Sequence, residues 1–431
     1  MNETQLISAR RGMTTTEMTR VAEAERLPAE TIRAGVAQGR IVIPANPAHP
    51  NLRPVGIGRA LRTKVNANLG TSALSGTAPG ERTKLETALE AGADTVMDLS
   101  TGPGALDLLR ATMAASPAPV GTVPIYEAVV RAGSGEALTP ELWLAAVEDQ
   151  ARLGVDYMTV HAGLRRAHVP LARQRLLGIV SRGGALTAAW MVKHRRENFA
   201  WERFDDLLDI CRAHDVTLSL GDGLRPGCLA DASDEAQFAE LEELGMLARR
   251  CRDAGVQAMI EGPGHVPLHQ IEMNMRREIE LCDDAPFYVL GPLVTDCAPG
   301  HDHWVGAIGG AWMAMHGAAM LCYVTPKEHL GLPNARDVRE GVIAFRVAAH
   351  AADVAKGIPG ARDRDDALSR ARGAFDWSGQ FEYALDPGRA RAVRAEALRE
   401  AGLAPEDCDG DHHCTMCGPE FCAMKLNPKP E

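Results

Sequence analysis

Three cysteines stand close together near the end of the chain, in HHCTMCGPEFCAMK (412–425). Cys414, Cys417 and Cys422 follow the spacing C-x2-C-x4-C, which offers three thiolates to one metal centre. Structural zinc would need a fourth ligand, whereas an iron–sulfur cluster on three cysteines leaves one iron open to a substrate or to S-adenosylmethionine. The residues in reach for a fourth position are Cys408, His412 and His413. The spacing leaves zinc, a cluster and free thiols open.

Two glycine-rich turns each carry an arginine: SRGG (181–184) and GDGLRPGC (221–228). Glycines let backbone N–H groups approach an oxyanion closely, and Arg182 or Arg225 can add a fork of further donors. One such loop is usually an ordinary turn between a strand and a helix. Two of them in one domain predict a phosphate or ribose site.

Histidines follow two of the apolar segments. EGPGHVPLH (261–269) places Glu261 and His265 after a predicted strand, and EHLGLP (328–333) places His329 after the last one. Imidazoles gathered on one rim suit a metal with open coordination positions, although a single histidine is more often satisfied by hydrogen bonds. GHDH (300–303) is a weaker candidate pair because it lies in a loop.

Short apolar runs recur from residue 64 onward and alternate with amphipathic helical patterns, which is typical of buried parallel strands covered by helices. The nine runs are KVNANLG (64–70), TVMDLS (95–100), GTVPIY (121–126), YMTVHAG (157–163), GIVSRGG (178–184), TLSLGDG (217–223), AMIEGPG (258–264), FYVLGPLVTD (287–296) and AMLCYVTP (319–326). They predict an α/β fold, a (β/α)8 barrel in which one run is misread, either GIVSRGG or a lid element. An open doubly wound sheet would show the same periodicity.

Reactive groups of such barrels lie where the strands end, at the carboxyl rim. The side chains that the sequence places there are Asn68, Met97, Tyr126, His161, Arg182, Asp222, Glu261, Asp296 and Tyr323. Around the barrel, we expect an N-terminal region over 1–63, the barrel over 64–340, a helical region over 341–407 and the cysteine tail over 408–431.

The composition excludes several classes of protein. The 431 residues carry a net charge of −11 and only 4% aromatic residues, which argues against a nucleic-acid surface. The N-terminal segment has no apolar core of a signal peptide, so we expect a cytoplasmic protein whose ten cysteines bind metal or are buried as thiols. The apolar stretch 306–324 is interrupted by glycines and His316, and we expect a helix followed by a buried strand there, not a membrane span.

Twelve strings, in order from about residue 60 to the end, closely resemble the phosphomethylpyrimidine synthase family of non-standard radical S-adenosylmethionine enzymes, in its compact form. They are VNANLGTS, DTVMDLSTG, PVGTVPIYEA, GVDYMTVHAG, GIVSRGG, LSLGDGLRPG, DEAQFAELEELG, IEGPGHVP, APFYVLGPL, MLCYVTPKEHLGLPN, AAHAADVAKG and CTMCGPEFCAMK.

The resemblance implies a lyase of thiamine biosynthesis on a (β/α)8 barrel. It implies a [4Fe–4S] cluster on Cys414, Cys417 and Cys422, whose open iron binds S-adenosylmethionine, and a tail that reaches the active site of the partner in a homodimer. The implied substrate is 5-aminoimidazole ribotide, converted to 4-amino-2-methyl-5-phosphomethylpyrimidine with release of formate and carbon monoxide. An electron donor is required, and no nucleic acid or membrane is involved.

Residue by residue, the resemblance also implies the contacts. Those to the substrate fall on Asn68, Met97, Tyr126, His161, Ser181, Arg182, Gly183, Asp222, Gly223, Leu224, Arg225, Glu261 and Tyr288. A second metal, expected to be Zn²⁺ or another divalent ion, falls on His265 and His329.

Three departures from the family pattern are expected near the rim. NPAH (46–49) stands where N-x-N-H is expected, Pro103 follows DLSTG, and TDCAPGHDH contains Cys297 and His301. They leave open a sister activity, 5-hydroxybenzimidazole synthase, which starts from the same ribotide. A different alternative is a zinc hydrolase on a barrel, with His265 and His329 activating water.

Overall fold

The computed structural model describes residues 3–72, 74–102, 104–404 and 413–426. The chain divides into two compact units, Met1–Ile358 and Pro359–Glu431. The first contains a barrel and the second contains helices and the cysteine tail. The functional division into four regions stays a prediction.

Eight parallel strands close into a barrel in chain order. They are β1 (Lys64–Leu69), β2 (Thr95–Asp98), β3 (Val120–Thr122), β4 (Tyr157–Val160), β5 (Thr217–Leu220), β6 (Ala258–Gly262), β7 (Phe287–Leu290) and β8 (Met320–Cys322). Strand β1 pairs with β8 as well as with β2, with Asn66 opposite Cys322. The barrel prediction is confirmed and the open sheet is wrong. The run GIVSRGG is the misread one, because helix α9 begins inside it at Arg182.

Helices surround the barrel and continue into the second unit. They are α1 (Gln5–Arg10), α2 (Thr16–Glu25), α3 (Ala29–Gln38), α4 (Ala78–Ala91), α5 (Ala105–Ala115), α6 (Pro124–Ala132), α7 (Pro140–Leu153), α8 (Val169–Ala172), α9 (Arg182–His194), α10 (Phe199–Glu202), α11 (Phe204–His214), α12 (Glu235–Asp253), α13 (Ile271–Cys282), α14 (Asp302–His316), α15 (Ala335–Lys356), α16 (Asp363–Gly373), α17 (Trp377–Tyr383), α18 (Pro387–Glu400), α19 (Gly418–Phe421) and α20 (Ala423–Leu426).

The stretch 306–324 forms most of α14 and then β8, as predicted. In the described part of the chain, no helix combines the length and the apolar character needed to cross a bilayer.

Local sequence sets the helix ends. Side chains of Thr139, Ser181 and Asp234 each accept a backbone N–H at the start of α7, α9 and α12, which satisfies donors that the first turn leaves free. Gly154 ends α7 in the left-handed conformation that glycine adopts without strain. These signals confine the helices, so that each strand end opens into a loop at the carboxyl rim.

The NPAH segment holds the amino end of β4, not the rim. Asn46 donates from Nδ2 to the carbonyl oxygens of Ala151 and Val155, at 2.7 and 3.0 Å. His49 Nδ1 lies 2.7 Å from Asp156 Oδ2, and both side chains are fully buried. Because Asp156 directly precedes β4, the expected position of this departure near the rim is wrong. Its role is to anchor the N-terminal region to the barrel.

Nine cysteines of the described residues are free thiols. Five of them, Cys211, Cys228, Cys251, Cys282 and Cys322, are buried in the first unit. Cys408, His412 and Pro103, which figure in the sequence predictions, lie outside the described residues.

Candidate active site

A narrow cavity opens at the carboxyl ends of the strands. Its lining residues are Asn68, Met97, Leu99, Val123, Tyr126, Thr159, His161, Ser181, Asp222, Arg225, Glu261, Gly262, Tyr288, Val289, Leu290 and Cys322. Nine of the thirteen substrate contacts implied by the resemblance are among them. Residues distant in sequence meet here because parallel strands end at the same rim.

The floor of this cavity is a network of buried polar side chains around Asn66. Asn66 Oδ1 accepts hydrogen bonds from Tyr157 Oη at 2.8 Å and Thr95 Oγ1 at 2.9 Å. Its Nδ2 donates to Tyr288 Oη at 2.7 Å and to Asn68 Oδ1 at 2.9 Å. The amide thus uses both of its ends, and the network fixes the rings of two tyrosines before any ligand arrives.

Glu261 lies above this floor and accepts two hydroxyl hydrogen bonds. Thr159 Oγ1 and Ser219 Oγ lie 2.6 and 2.7 Å from Glu261 Oε1. Burial raises the pKa of Glu261, and these two hydrogen bonds oppose that rise. A buried carboxyl group of this kind, which lines the cavity, can hold or accept a proton at a bound ligand.

Asp222 and Arg225 form an ion pair across one turn of the glycine-rich loop. Arg225 Nη1 lies 3.4 Å from Asp222 Oδ1. Burial raises the pKa of Asp222 well above its usual range, with the Arg225 charge opposing, and Asp222 Oδ2 has no hydrogen-bond partner among the described residues. The pair therefore presents both a donor fork and an unused acceptor to a ligand.

The SRGG turn forms the amino end of α9 and opens toward the cavity through Ser181. Ser181 Oγ accepts from Gly184 N at 3.1 Å and lies 3.1 Å from His161 Nε2. Burial lowers the pKa of His161 to about 3, so the ring is neutral at physiological pH. A side chain at Gly183 would collide with the His161 ring. The turn combines free helix N–H groups with a neutral imidazole, an arrangement that suits a phosphate.

The cavity widens into a mouth of about 1550 Å³, lined in part by Arg182, Lys84, Lys327, His265 and His329. The guanidinium carbon of Arg182 lies 5.1 Å from the centre of the Tyr126 ring. Cationic side chains outnumber acidic ones here, so the mouth favours anionic ligands.

His265 and His329 come together at this mouth, with ring centres 5.4 Å apart. Asp296 Oδ1 lies 2.8 Å from His265 Nδ1, which leaves Nε2 of that ring for a metal. Among the described residues, no group of three or more His, Cys, Asp or Glu side chains is arranged to hold a metal ion. The two imidazoles therefore fit a metal that takes its remaining ligands from water or substrate.

The segment TDCAPGHDH, one of the departures from the family pattern, follows strand β7. In it, Cys297 is exposed beside Asp296, and His301 stacks on Trp304.

Some predicted contacts do not line the inner cavity. Arg182 lies in the mouth, and Gly183 supports His161 by leaving room for its ring. Leu224 is fully buried. Leu224 and Gly223 contribute backbone groups to the loop and no side chain to the cavity. These residues shape the turns instead of lining the cavity.

Sequence reasoning missed Thr159, Cys322 and Asn66. Asn68 Nδ2 lies 3.0 Å from Cys322 Sγ, and burial raises the pKa of that thiol to about 12. The period of two along a strand was the usable signal, because Thr159 shares a face with His161, and Asn66 with Asn68.

Residues 413–426 are the described part of the cysteine tail and belong to the second compact unit. Cys414 and Cys417 are exposed, whereas Cys422 is only 7% exposed. Cys417 directly precedes the short helix α19, and all three thiols are free. Three soft donors within nine residues fit an iron–sulfur cluster chemically, although the chain has to draw them together around it.

The fold and the site define a class: an enzyme built on a (β/α)8 barrel, with a polar cavity that opens at the carboxyl ends of its strands. Comparison with known proteins identifies the family within this class. A family model described as the radical SAM ThiC family matches residues 4–429. The chain belongs to this family.

Two curated relatives agree with the match over nearly the whole chain. A protein of Natronomonas pharaonis named phosphomethylpyrimidine synthase is 59% identical, over 98% of this chain and 88% of its own. A protein of the same name from Halobacterium salinarum is 56% identical over the same shares. Among solved structures, a dihydropteroate synthase from Stenotrophomonas maltophilia is 14% identical with a TM-score of 0.43, over 73% of this chain and 99% of that one. A likeness at that level adds nothing to the assignment.

Proposed function

We propose that the protein is a phosphomethylpyrimidine synthase of thiamine biosynthesis. It converts 5-aminoimidazole ribotide to 4-amino-2-methyl-5-phosphomethylpyrimidine, with formate and carbon monoxide as the other products. The name carried by relatives that are 56 and 59% identical over 98% of the chain is the observation that supports this most strongly. The cavity supports it independently, because it offers sites for a phosphate, for hydroxyl groups and for a flat nitrogen heterocycle.

The two arginine turns are the proposed phosphate and ribose site. The amino end of α9 contributes backbone N–H groups, and Arg225 contributes a fork of donors. Asp222, with its unused Oδ2, is suited to accept a hydrogen bond from a ribose hydroxyl. The neutral His161 can accept or donate a hydrogen bond without adding charge.

The floor is the proposed site of the aminoimidazole ring. Tyr288, Asn68 and Glu261 lie around it and provide hydrogen-bonding groups to ring nitrogens and the amino group. Glu261 is placed to hold a proton from the ring, since burial already raises its pKa. Tyr288 and the Asn66 network are buried, so a bound substrate would be shielded from solvent on that side, which protects reactive species from quenching.

Cys414, Cys417 and Cys422 would hold a [4Fe–4S] cluster. With S-adenosylmethionine and an electron donor, such a cluster would supply a 5′-deoxyadenosyl radical to the substrate. The three cysteines would bind it as thiolates, and we propose that the tail acts at the active site of a partner subunit. His265 and His329 would hold the second metal, Zn²⁺ or another divalent ion, with Asp296 orienting His265.

We also propose that the protein acts as a homodimer. Trp304, Ile308 and Trp312 lie one helical turn apart on α14 and are 60, 56 and 42% exposed. Exposed apolar stripes of this kind usually mark protein contacts. A second copy of the chain is the expected partner, and sedimentation at micromolar concentration should give twice the chain mass of 46.2 kDa.

The test is an anaerobic turnover experiment. The protein is reconstituted with iron and sulfide, reduced, and supplied with S-adenosylmethionine and 5-aminoimidazole ribotide, and the products are identified by mass spectrometry. The phosphomethylpyrimidine together with 5′-deoxyadenosine is the expected result. Formation of 5-hydroxybenzimidazole would make the protein the sister enzyme instead. A colourless protein that binds only zinc and leaves S-adenosylmethionine intact would favour the zinc hydrolase.

A further inference from the structure

Glu240 lies behind the cavity on α12, in the segment DEAQFAELEELG (234–245). It is 1% exposed. Its Oε2 accepts the backbone N–H of Leu224 at 2.6 Å, which places the carboxyl against the loop that carries Asp222 and Arg225. Its Oε1 has no hydrogen-bond partner among the described residues.

The loop between Glu240 and the cavity is tightly packed. A side chain added at Gly223 would lie 3.0 Å from Glu240 Oε1, and one added at Gly184 would collide with the carbonyl of Gly223. The α12 carboxyl, the loop at Gly223 and the SRGG turn therefore form three successive layers. A displacement of the first layer would move both turns that form the proposed phosphate site.

Glu240 lies close to other ionisable side chains. It lines a narrow cleft together with Asp222, Arg225 and Glu261. Burial raises the pKa of Glu240 to about 8, with the Leu224 backbone hydrogen bond opposing. The carboxyl is accordingly mostly neutral at pH 7, and glutamine is a close mimic of that form.

We propose that Glu240 is a positioning residue, which holds the Gly223–Leu224 backbone so that Asp222 and Arg225 face the ribotide. The role rests on the proposed function, since it concerns the same ligand. A positioning role predicts that loss of Glu240 weakens ligand binding. Loss of an ordinary buried glutamate would lower stability and leave ligand affinity unchanged.

The experiment measures binding of 5-aminoimidazole ribotide to the full chain by isothermal titration calorimetry, without S-adenosylmethionine or reductant. Glu240→Ala should weaken binding at least tenfold. Glu240→Gln should bind within threefold of the wild type, because its amide oxygen can accept the Leu224 N–H. Glu240→Asp, one methylene shorter, should also weaken binding, and it serves as the second test where the alanine variant fails to fold.

Glu243→Ala is the matched control from the same helix. Glu243 Oε1 accepts the indole N–H of Trp201 at 2.7 Å and lines neither the inner cavity nor its mouth. It should lower the melting temperature and leave ribotide affinity unchanged. Wild-type affinity in Glu240→Asp or Glu240→Ala, or equal weakening in Glu243→Ala, would overturn the positioning role. A wild-type protein that binds no ribotide would instead contradict the proposed function itself.

Discussion

The cavity floor and the cysteine tail differ in how complete they are without a ligand. In the floor, Asn66 is fully buried and uses both ends of its amide. In the tail, Cys414 and Cys417 are exposed, and Phe421 is 78% exposed. The floor is organised by the chain alone, whereas the proposed cluster site would need the metal to draw its ligands together. Substrate binding and radical chemistry should therefore be separable by mutation.

The largest effect is expected from the tail. Cys417→Ala removes one of the three proposed cluster ligands, so product formation should fall by about 1000-fold or more, because radical generation requires the cluster. The iron content after reconstitution should fall with it, while ribotide affinity stays within twofold of the wild type. Met416→Ala, a change at a neighbouring exposed side chain, is the control and should retain iron. Full activity in Cys417→Ala would contradict the cluster assignment.

Loss of a side chain from the floor network should lower the stability of the folded protein. Asn66→Ala removes one hydrogen bond from each of the hydroxyls of Tyr157, Thr95 and Tyr288, of which Tyr157 keeps a second acceptor in the backbone. The loss should lower the free energy of unfolding by about 3 kcal/mol. Urea denaturation measures this.

Asn68→Ala is the comparison for that change. It removes contacts to Cys322 and Asn66 only and should cost about 1 kcal/mol. Equal and small losses for the two variants would mean that the floor network contributes little to stability.

A change next to the histidine pair at the mouth should lower metal affinity by an intermediate amount. Asp296→Asn weakens the hydrogen bond that orients His265, and such changes typically cost about 10- to 100-fold in metal affinity. Zinc or cobalt titration of the protein in the absence of iron measures it. Asp107→Asn, on the exposed side of α5, should bind metal as the wild type does. Unchanged affinity in Asp296→Asn would remove Asp296 from the proposed site.

The smallest expected effect is the contribution of His161 to the pH dependence of stability. Because burial lowers its folded pKa to about 3, the ring should stay neutral between pH 8 and pH 5. The unfolded state, with a pKa near 6.5, binds a proton that the folded state does not, so this residue's contribution to stability is full above pH 6.5 and declines as pH falls below it. NMR of histidine-labelled protein, with His161→Gln for assignment, measures the pKa, and titration of the ring near pH 6 would contradict the burial argument.

The sequence predicted the barrel well because each strand lies in a short run rich in apolar residues that is followed by polar or glycine residues and then by a helix. It misread the run 178–184 because Ile179 and Val180 resemble a strand, whereas Ser181 caps a helix. Tyr126, His161 and Glu261 reached the cavity as predicted, since parallel strands end at one rim. Glu240 could not be predicted from spacing, because its contact with Leu224 depends on how a surrounding helix packs behind a loop.

The most direct test of the account is a crystal structure of the protein with 5-aminoimidazole ribotide, grown without the cluster. If the chain alone organises the substrate site, the phosphate will bind to the Ser181–Arg182 turn and Arg225, and the aminoimidazole ring will lie on the floor beside Tyr288 and Glu261. A ribotide that lies outside the cavity, or that points its phosphate at the Asn66 network, would show that the chain alone does not organise this substrate site.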